Sequence, residues 1–377
     1  MVARSRMGGP WSRAQRVARA FRDGGHEVTL AWGDDGNCAD PIAPTLEIPV
    51  PSPLGLPGAI ARHTFPLASR LGLMGRKPVR SFEEVLWLTG ALDERYTRAA
   101  VDTLRAHMRA SRPDVVYSEF SLAAVIAARA EGIPCVGSGS QPTTAAYASH
   151  PRKSAGIRRL LRDMGMPAPA SSLTVLEGMR RRFIPSCPTL EPRVGERAVY
   201  CGFLDEPPAL TGRPRDCALV YLCAGSVPAG VAVRAGRELA RALGCDLYVA
   251  GVPEALHAVG DHEVACAPRF DVSELLPRAR VFVHHGGQNS MMDALSYGVP
   301  QVVVPGRVFE RQFNAEAVES ARCGLTVRAP KPALIARAAR RLVDEPALTS
   351  GIRGLREELS SLGGAERIVR EVEELAR

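Results

Sequence analysis

The residues best placed to do chemistry stand together near position 285. His284, His285, Gly286, Gly287, Gln288, Asn289 and Ser290 follow the apolar run Val281–Val283. Such a string predicts a strand ending at Val283, a tight glycine turn, and a helix starting near Asn289 or Ser290. The first N–H groups of a helix have no partner inside it, and the helix dipole adds positive potential there. A helix start is therefore an anion site. Gly286 and Gly287 lack a Cβ, so a phosphate can come close to the backbone. Ser290 adds a hydroxyl donor, and an imidazole nitrogen of the His pair can donate to a phosphate oxygen. Asp293 lies four residues after Asn289, on the same helix face, where it can accept bonds from ribose hydroxyls. Taken alone, the string also fits a capped helix after a glycine turn with both His side chains exposed.

The surrounding chain supplies elements that could hold such a loop. Short apolar runs alternate with longer amphipathic segments, the pattern of βα units on a parallel sheet. In the first half, GHEVTLAWG (25–33) reads as a turn and a strand, and 81–110 as one long helical region. PDVVYSEF (113–120) reads as a strand, 121–132 as a helix and 133–140 as a strand. Residues 205–216, with Pro207, Pro208, Gly212 and Pro214, read as a linker. The alternation then restarts: strand 217–225, helix 229–244, strand 245–251, short helix 273–279, strand 281–283, helix 289–298, strand 300–306, helix 310–324 and a helical tail from about 331. Two βα domains joined by a linker fit this order. In such open sheets ligands sit beyond the carboxyl ends of the strands, which is where 284–288 would fall.

Composition narrows the function. The chain has 377 residues, enough for two domains, and is 46% hydrophobic and 23% charged. No run of 18 apolar residues or secretion-type leader is evident, so a cytoplasmic protein without membrane insertion is expected. The formal charge of +8 rests almost wholly on Arg, since Lys occurs only at 77, 153 and 331. No basic run is interleaved with aromatics, which argues against nucleic acid as a partner. The nine Cys include no Cys-x-x-Cys pair, and His and Cys are not clustered, so no metal site is expected.

His285-Gly286-Gly287-Gln288-Asn289-Ser290, then Asp293-Ala294-Leu295, Gly298-Val299-Pro300 and Glu310…Asn314-Ala315, resembles the nucleotide-sugar signature of the GT1 family. That family includes plant UDP-glycosyltransferases and bacterial natural-product glycosyltransferases, and the double His and double Gly look most like the bacterial branch. GHEVTL (25–30), PDVV (113–116), EGIP (131–134), VYCGFL (199–204) and 273–287 agree in order. The resemblance implies an α/β, GT-B fold: two facing Rossmann-like domains with a C-terminal helix crossing back to the first. It implies an acceptor-binding domain over 1–205, a linker over 206–216, a nucleotide-sugar-binding domain over 217–350 and a helical tail over 351–377. The expected function is transfer of a sugar from a UDP- or TDP-sugar, the co-substrate, to a small natural-product acceptor, inverting and without a metal or other cofactor. The same resemblance implies that His285 contacts the diphosphate, Asn289 and Ser290 the phosphates, Asp293 the ribose, Ser226 the phosphates from the first loop of the second domain, and Glu310 the sugar. Phe270 is the nearest aromatic for stacking on the base. A homodimer or a partner protein is also admitted.

The chain departs from the family in three places. Pro10 stands where the family's catalytic His is expected, after a first strand of which only MVA remains. Ser118 stands where an Asp would orient that His. Arg311 replaces the Gln that usually follows Glu310; it fits either a salt bridge or a donor sugar with an altered substituent. An inverting transfer needs a base for the acceptor proton. Glu119, beside Ser118, is the first candidate, with His63, His107 and His150 behind it. A capping or solvent-facing carboxylate is the other reading of Glu119. A non-catalytic homologue that binds nucleotide or a partner glycosyltransferase is the alternative function.

Overall fold

The computed structural model describes residues 8–33, 40–53, 77–210, 212, 214–222 and 227–376. The chain forms two compact units. The first takes Met1–Ala61, Ser81–Glu206 and Leu359–Arg377; the second takes Arg62–Arg80 and Pro207–Glu358. The strands are β1 (Leu30–Trp32), β2 (Thr45–Glu47), β3 (Val116–Ser118), β4 (Cys135–Ser138), β5 (Arg182–Ile184), β6 (Ala198–Tyr200), β7 (Cys217–Tyr221), β8 (Asp246–Ala250), β9 (Ala255–Val259), β10 (His262–Ala267), β11 (Ala279–His284), β12 (Gln301–Val303) and β13 (Gly324–Thr326).

In the first unit β1 pairs with β2, while β3, β4, β5 and β6 form a separate parallel ladder. A cavity of about 490 Å³ is lined from both ladders, by Val28, Thr29 and Ala31 on one side and Val115, Val116 and Tyr117 on the other. The truncated first strand expected at MVA lies outside the described residues. Pro10, where the resemblance places the family's catalytic His, lies in a helix that runs from Gly8 to Asp23. Pro10 sits in its first turn, where a missing N–H costs nothing. Trp11, Ala14, Val17 and Ala18 are buried at helical spacing, and Trp11 meets Trp32 edge-on at 4.3 Å.

The helical region expected over 81–110 is two helices, Phe82–Leu88 and Glu94–Ser111, each with its own side-chain cap from Ser81 or Asp93. Between them Gly90 has φ +80°, and a Cβ there would lie 2.0 Å from the Ser52 carbonyl oxygen, so the chain must break here. The last helix, Gly364–Ala376, packs on the first unit's sheet through Ile368 and Val372, beside Val17, Tyr117, Val136 and Phe183. Gly202 admits this return: a Cβ on it would meet the Leu359 carbonyl oxygen at 1.8 Å.

The second unit has one seven-stranded sheet in the order β13-β12-β11-β7-β8-β10-β9, parallel except for the β9–β10 hairpin. One face carries Ala218, Val220, Val249, Val281 and Val283 against the helices Ala229–Leu243 and Pro332–Asp344. The other carries Leu219 and Phe282 with Leu276, Ala294 and Val299. β7 has its sequence neighbour β8 on one side and β11 on the other, so the order reverses between β7 and β11. In doubly wound sheets the crevice at this switch point, beyond the strands' carboxyl ends, is where ligands bind. No helix of the described residues is long and apolar enough to cross a membrane.

Candidate functional site

Both strands at the switch point end on residues of interest. Tyr221 closes β7, His284 closes β11, and the two are paired in register. The chain then turns through His285, Gly286 and Gly287 into the helix Gln288–Ser296, slightly earlier than the sequence suggested. Its cap residue is Gly287, so the helix start has no side-chain cap of the Ser or Asp kind.

The two histidines have different tasks. His284 is fully buried. Its Nδ1 accepts from the Gly286 N–H at 3.1 Å, and its Nε2 lies 2.8 Å from Gln301 Oε1. Since Nδ1 accepts, Nε2 carries the proton and donates to the amide oxygen. Burial, partly opposed by that bond, holds the ring's pKa down at about 4, so His284 is neutral in the working range. The alternative reading of the loop, with both His side chains exposed, does not hold: His284 and His285 are both buried.

His285 lies over the helix start. A Cβ on Gly287 would stand 2.6 Å from His285 Nε2, so the bare glycine is what lets the ring settle there. Its Nδ1 is 3.3 Å from the Tyr221 carbonyl oxygen, which can only accept; Nδ1 therefore carries the proton of the neutral ring. The Tyr221 ring packs edge-on against it at 5.1 Å. Nε2, the nitrogen nearest the helix start, donates only when the ring takes a second proton. Burial foremost, then the charge of Arg311, and that of His284 when it is protonated, push the His285 pKa well below the usual imidazole value. A bound diphosphate would act in the opposite direction.

Gly286 completes the loop at φ +86°, a left-handed conformation that favours glycine. Its carbonyl accepts from Asn314 Nδ2 at 2.8 Å. A Cβ on it would lie 3.0 Å from both the Arg311 carbonyl oxygen and Val303 Cγ1, so the helix Phe309–Ser320 runs close against it. Glu310 and Arg311, in the first turn of that helix, thus stand beside the loop. Ser290 is buried, while Asn289 and Asp293 are half-buried. Asp293 reaches Tyr297 electrostatically: burial, then Asp293 and Asp271, raise that phenol's pKa. Phe270 packs edge-on to Tyr248 at 5.4 Å in a cluster with Tyr221 and Tyr297. Phe270 was foreseen, but its partly exposed aromatic neighbours were not; Tyr221 and Tyr248, on the less buried positions of β7 and β8, were their signal. Ser226 and His63 lie outside the described residues.

Glu119 falls in the first unit and in a different setting from the one expected. It is fully buried, with Arg13 Nε donating to Oε1 at 2.7 Å and the Ser138 hydroxyl donating to Oε2. Tyr117 bonds Ser138 at 2.9 Å. Both carboxylate oxygens are engaged and a guanidinium neutralises the charge, so the geometry is that of a structural ion pair and opposes a role as general base. Ser118 is likewise tied into its turn: its hydroxyl accepts from the Ser121 N–H and donates to the Ser121 carbonyl, both at 3.0 Å. His107 is half-buried on the helix Glu94–Ser111, and His150 gives its backbone N–H to Glu83.

Comparison with known proteins agrees with this arrangement. Residues 251–375 match the C-terminal domain family of erythromycin biosynthesis protein CIII-like proteins. A solved glycotransferase of kitacinnamycin superposes with a TM-score of 0.74 at 22% identity, covering 99% of this chain and 97% of that one. The chain has the GT-B fold. The glycosyltransferase SsfS6 from Streptomyces sp. SF2575, solved with thymidine diphosphate, gives a TM-score of 0.65 at 21% identity over 99% of this chain and 98% of its own. Among curated relatives, the NDP-glycosyltransferase YjiC of Bacillus subtilis is 34% identical over 104 residues. That match spans about a quarter, 26%, of each chain. The GT1-like resemblance read from 273–315 thus stands, and that segment falls within the matched residues 251–375.

Proposed function

We propose that this GT-B chain is a glycosyltransferase that moves a sugar from a UDP- or TDP-sugar to a small natural-product acceptor, with inversion and without a metal ion. The observation that carries the reading is the loop His285-Gly286-Gly287, which opens an uncapped helix at the switch point of the second unit's sheet. A diphosphate seated on that helix start meets backbone N–H groups, the helix dipole and His285, which stabilise the charge of the departing nucleotide. Approach of the diphosphate favours protonation of His285, and the proton gained at Nε2 points at the anion. Asp293 is the candidate for the ribose and the Phe270 and Tyr248 cluster for the base. Glu310 and Arg311 are the candidates for the sugar, with Arg311 favouring a donor other than plain glucose, such as a deoxysugar or one with an acidic or nitrogen substituent. Ser226 remains a phosphate candidate by resemblance.

The base is the open role. With Glu119 in an ion pair, an acceptor of low pKa, such as a phenol, needs the least help in losing its proton. The test is a panel of UDP- and TDP-sugars, read by thermal stabilisation and by single-turnover transfer to phenolic acceptors. Stabilisation by a nucleotide-sugar followed by transfer supports the reading. Tight nucleotide binding with no transfer from any donor would mark a non-catalytic homologue, and no binding would overturn the site.

A further inference from the structure

We propose that His284 and Asn314 are positioning residues that clamp the two peptide groups on either side of the Gly286 Cα and so set the backbone on which the diphosphate rests. This rests on the nucleotide-sugar reading of the same loop and assigns a task to residues that do not face the ligand.

A glycine at φ +86° has little of its own to keep it in place: it has no Cβ, and its neighbour Gly287 has no side chain to pack. Here the Gly286 N–H is held by His284 Nδ1 and its carbonyl by Asn314 Nδ2. Both clamps come from rigid elements, the end of β11 and the helix Phe309–Ser320. His284 is 0% exposed and Asn314 3%, so water cannot substitute for either. The clamp also depends on a tautomer. Gln301 Oε1, 2.8 Å away on β12, accepts only and so fixes the proton on His284 Nε2, leaving the Nδ1 lone pair for Gly286. The chain is thus Gln301 to His284 to Gly286, with Asn314 closing the other side. If either clamp fails, the peptide group it holds rotates and the N–H groups of the helix start no longer converge.

Two substitutions at one position separate this from packing. In His284→Asn the amide oxygen stands near the place of Nδ1 and can still accept from Gly286. In His284→Gln the amide reaches Gln301 instead, and Gly286 loses its acceptor. Gln preserves more side-chain volume, so a role in packing alone predicts that His284→Gln is the better variant. The clamp predicts the reverse: His284→Asn keeps UDP and TDP affinity within ~3-fold of the parent, while His284→Gln and Asn314→Ala lose ~10-fold, one hydrogen bond each. Melting temperatures of all variants are measured alongside, and ¹⁵N NMR reads the His284 tautomer in the free protein. A protonated Nε2 with an unprotonated Nδ1 is expected. Equal losses in the two His284 variants, a better His284→Gln, or the opposite tautomer would overturn the clamp while leaving the nucleotide site standing. A parent chain that binds neither nucleotide would overturn both.

Discussion

Two junctions in this molecule are built on one plan and reach opposite ends. In the first unit β3 turns through Glu119, Phe120 and Ser121 into the helix Leu122–Ala130; in the second, β11 turns through His285, Gly286 and Gly287 into Gln288–Ser296. The first is sealed. Ser121 caps its helix by accepting from the Ala124 N–H, Glu119 is neutralised by Arg13, and Phe120 holds a left-handed φ of +55° while its ring meets the Arg13 guanidinium at 5.6 Å. The second is open, with a glycine as cap and a histidine laid over the helix start. A serine hydroxyl bonded to the helix's own N–H already fills the place that a ligand would use. Bare glycines leave it for a diphosphate. The same topology therefore gives a closed ion-paired junction in one unit and a candidate binding site in the other.

The largest effect should come from breaking the sealed junction. Glu119→Ala removes the carboxylate that Arg13 bonds in a buried ion pair and should cost about 3–5 kcal/mol of stability by chemical denaturation. Glu119→Gln should likewise act mainly on stability. A variant of full stability with transfer reduced about 100-fold would return Glu119 to the mechanism.

Acid should act next, on the open junction. His284 has a pKa of about 4 in the fold against 6.5 when free. Between these values the unfolded chain binds a proton that the folded chain refuses, so stability is full above about pH 6.5 and declines as pH falls toward 4. The loss approaches about 3 kcal/mol. Denaturation of the parent and His284→Asn from pH 7.5 to 4 should show a smaller slope in the variant; parallel slopes would remove His284 from the titration.

Smaller effects concern the ligand alone. His285→Ala should weaken nucleotide binding by roughly 1.5–3 kcal/mol, the worth of a charge-assisted contact. Gly287→Ala puts a Cβ where the His285 ring lies, 2.6 Å from Nε2, and should displace it, weakening binding by about 1 kcal/mol with little change in melting temperature. Titration calorimetry reads both, and unchanged affinity in Gly287→Ala would mean that the ring position does not matter.

The open junction was legible in the sequence because glycines mark backbone requirements directly, and the strand, turn and helix fall in consecutive residues. The sealed one was not. Arg13 and Glu119 are 106 residues apart, and no local pattern announces that they meet. Glu83 is a similar case. It is fully buried and accepts from Ser171, Ser172, Ser154 and the His150 backbone, in two segments that only the fold brings to it. Three-residue strands such as β2 and β5 are too short for periodicity to register. The helix Gly8–Asp23 opens on Gly-Gly-Pro, which reads as a turn. The break at Gly90 was hidden because helical residues flank it on both sides.

The central claim is that a nucleotide-sugar diphosphate sits on the helix start beneath His285. The most direct test is calorimetric titration of the accepted UDP- or TDP-sugar, whose diphosphate does not itself titrate near neutrality, from pH 8 to pH 6 in buffers of different ionisation enthalpy. Because binding raises a pKa that burial had depressed, the protein should take up a proton, and affinity should rise as pH falls. His285→Ala should abolish both the uptake and the pH dependence. Binding with the same affinity and the same proton count in the parent and in His285→Ala would contradict the account.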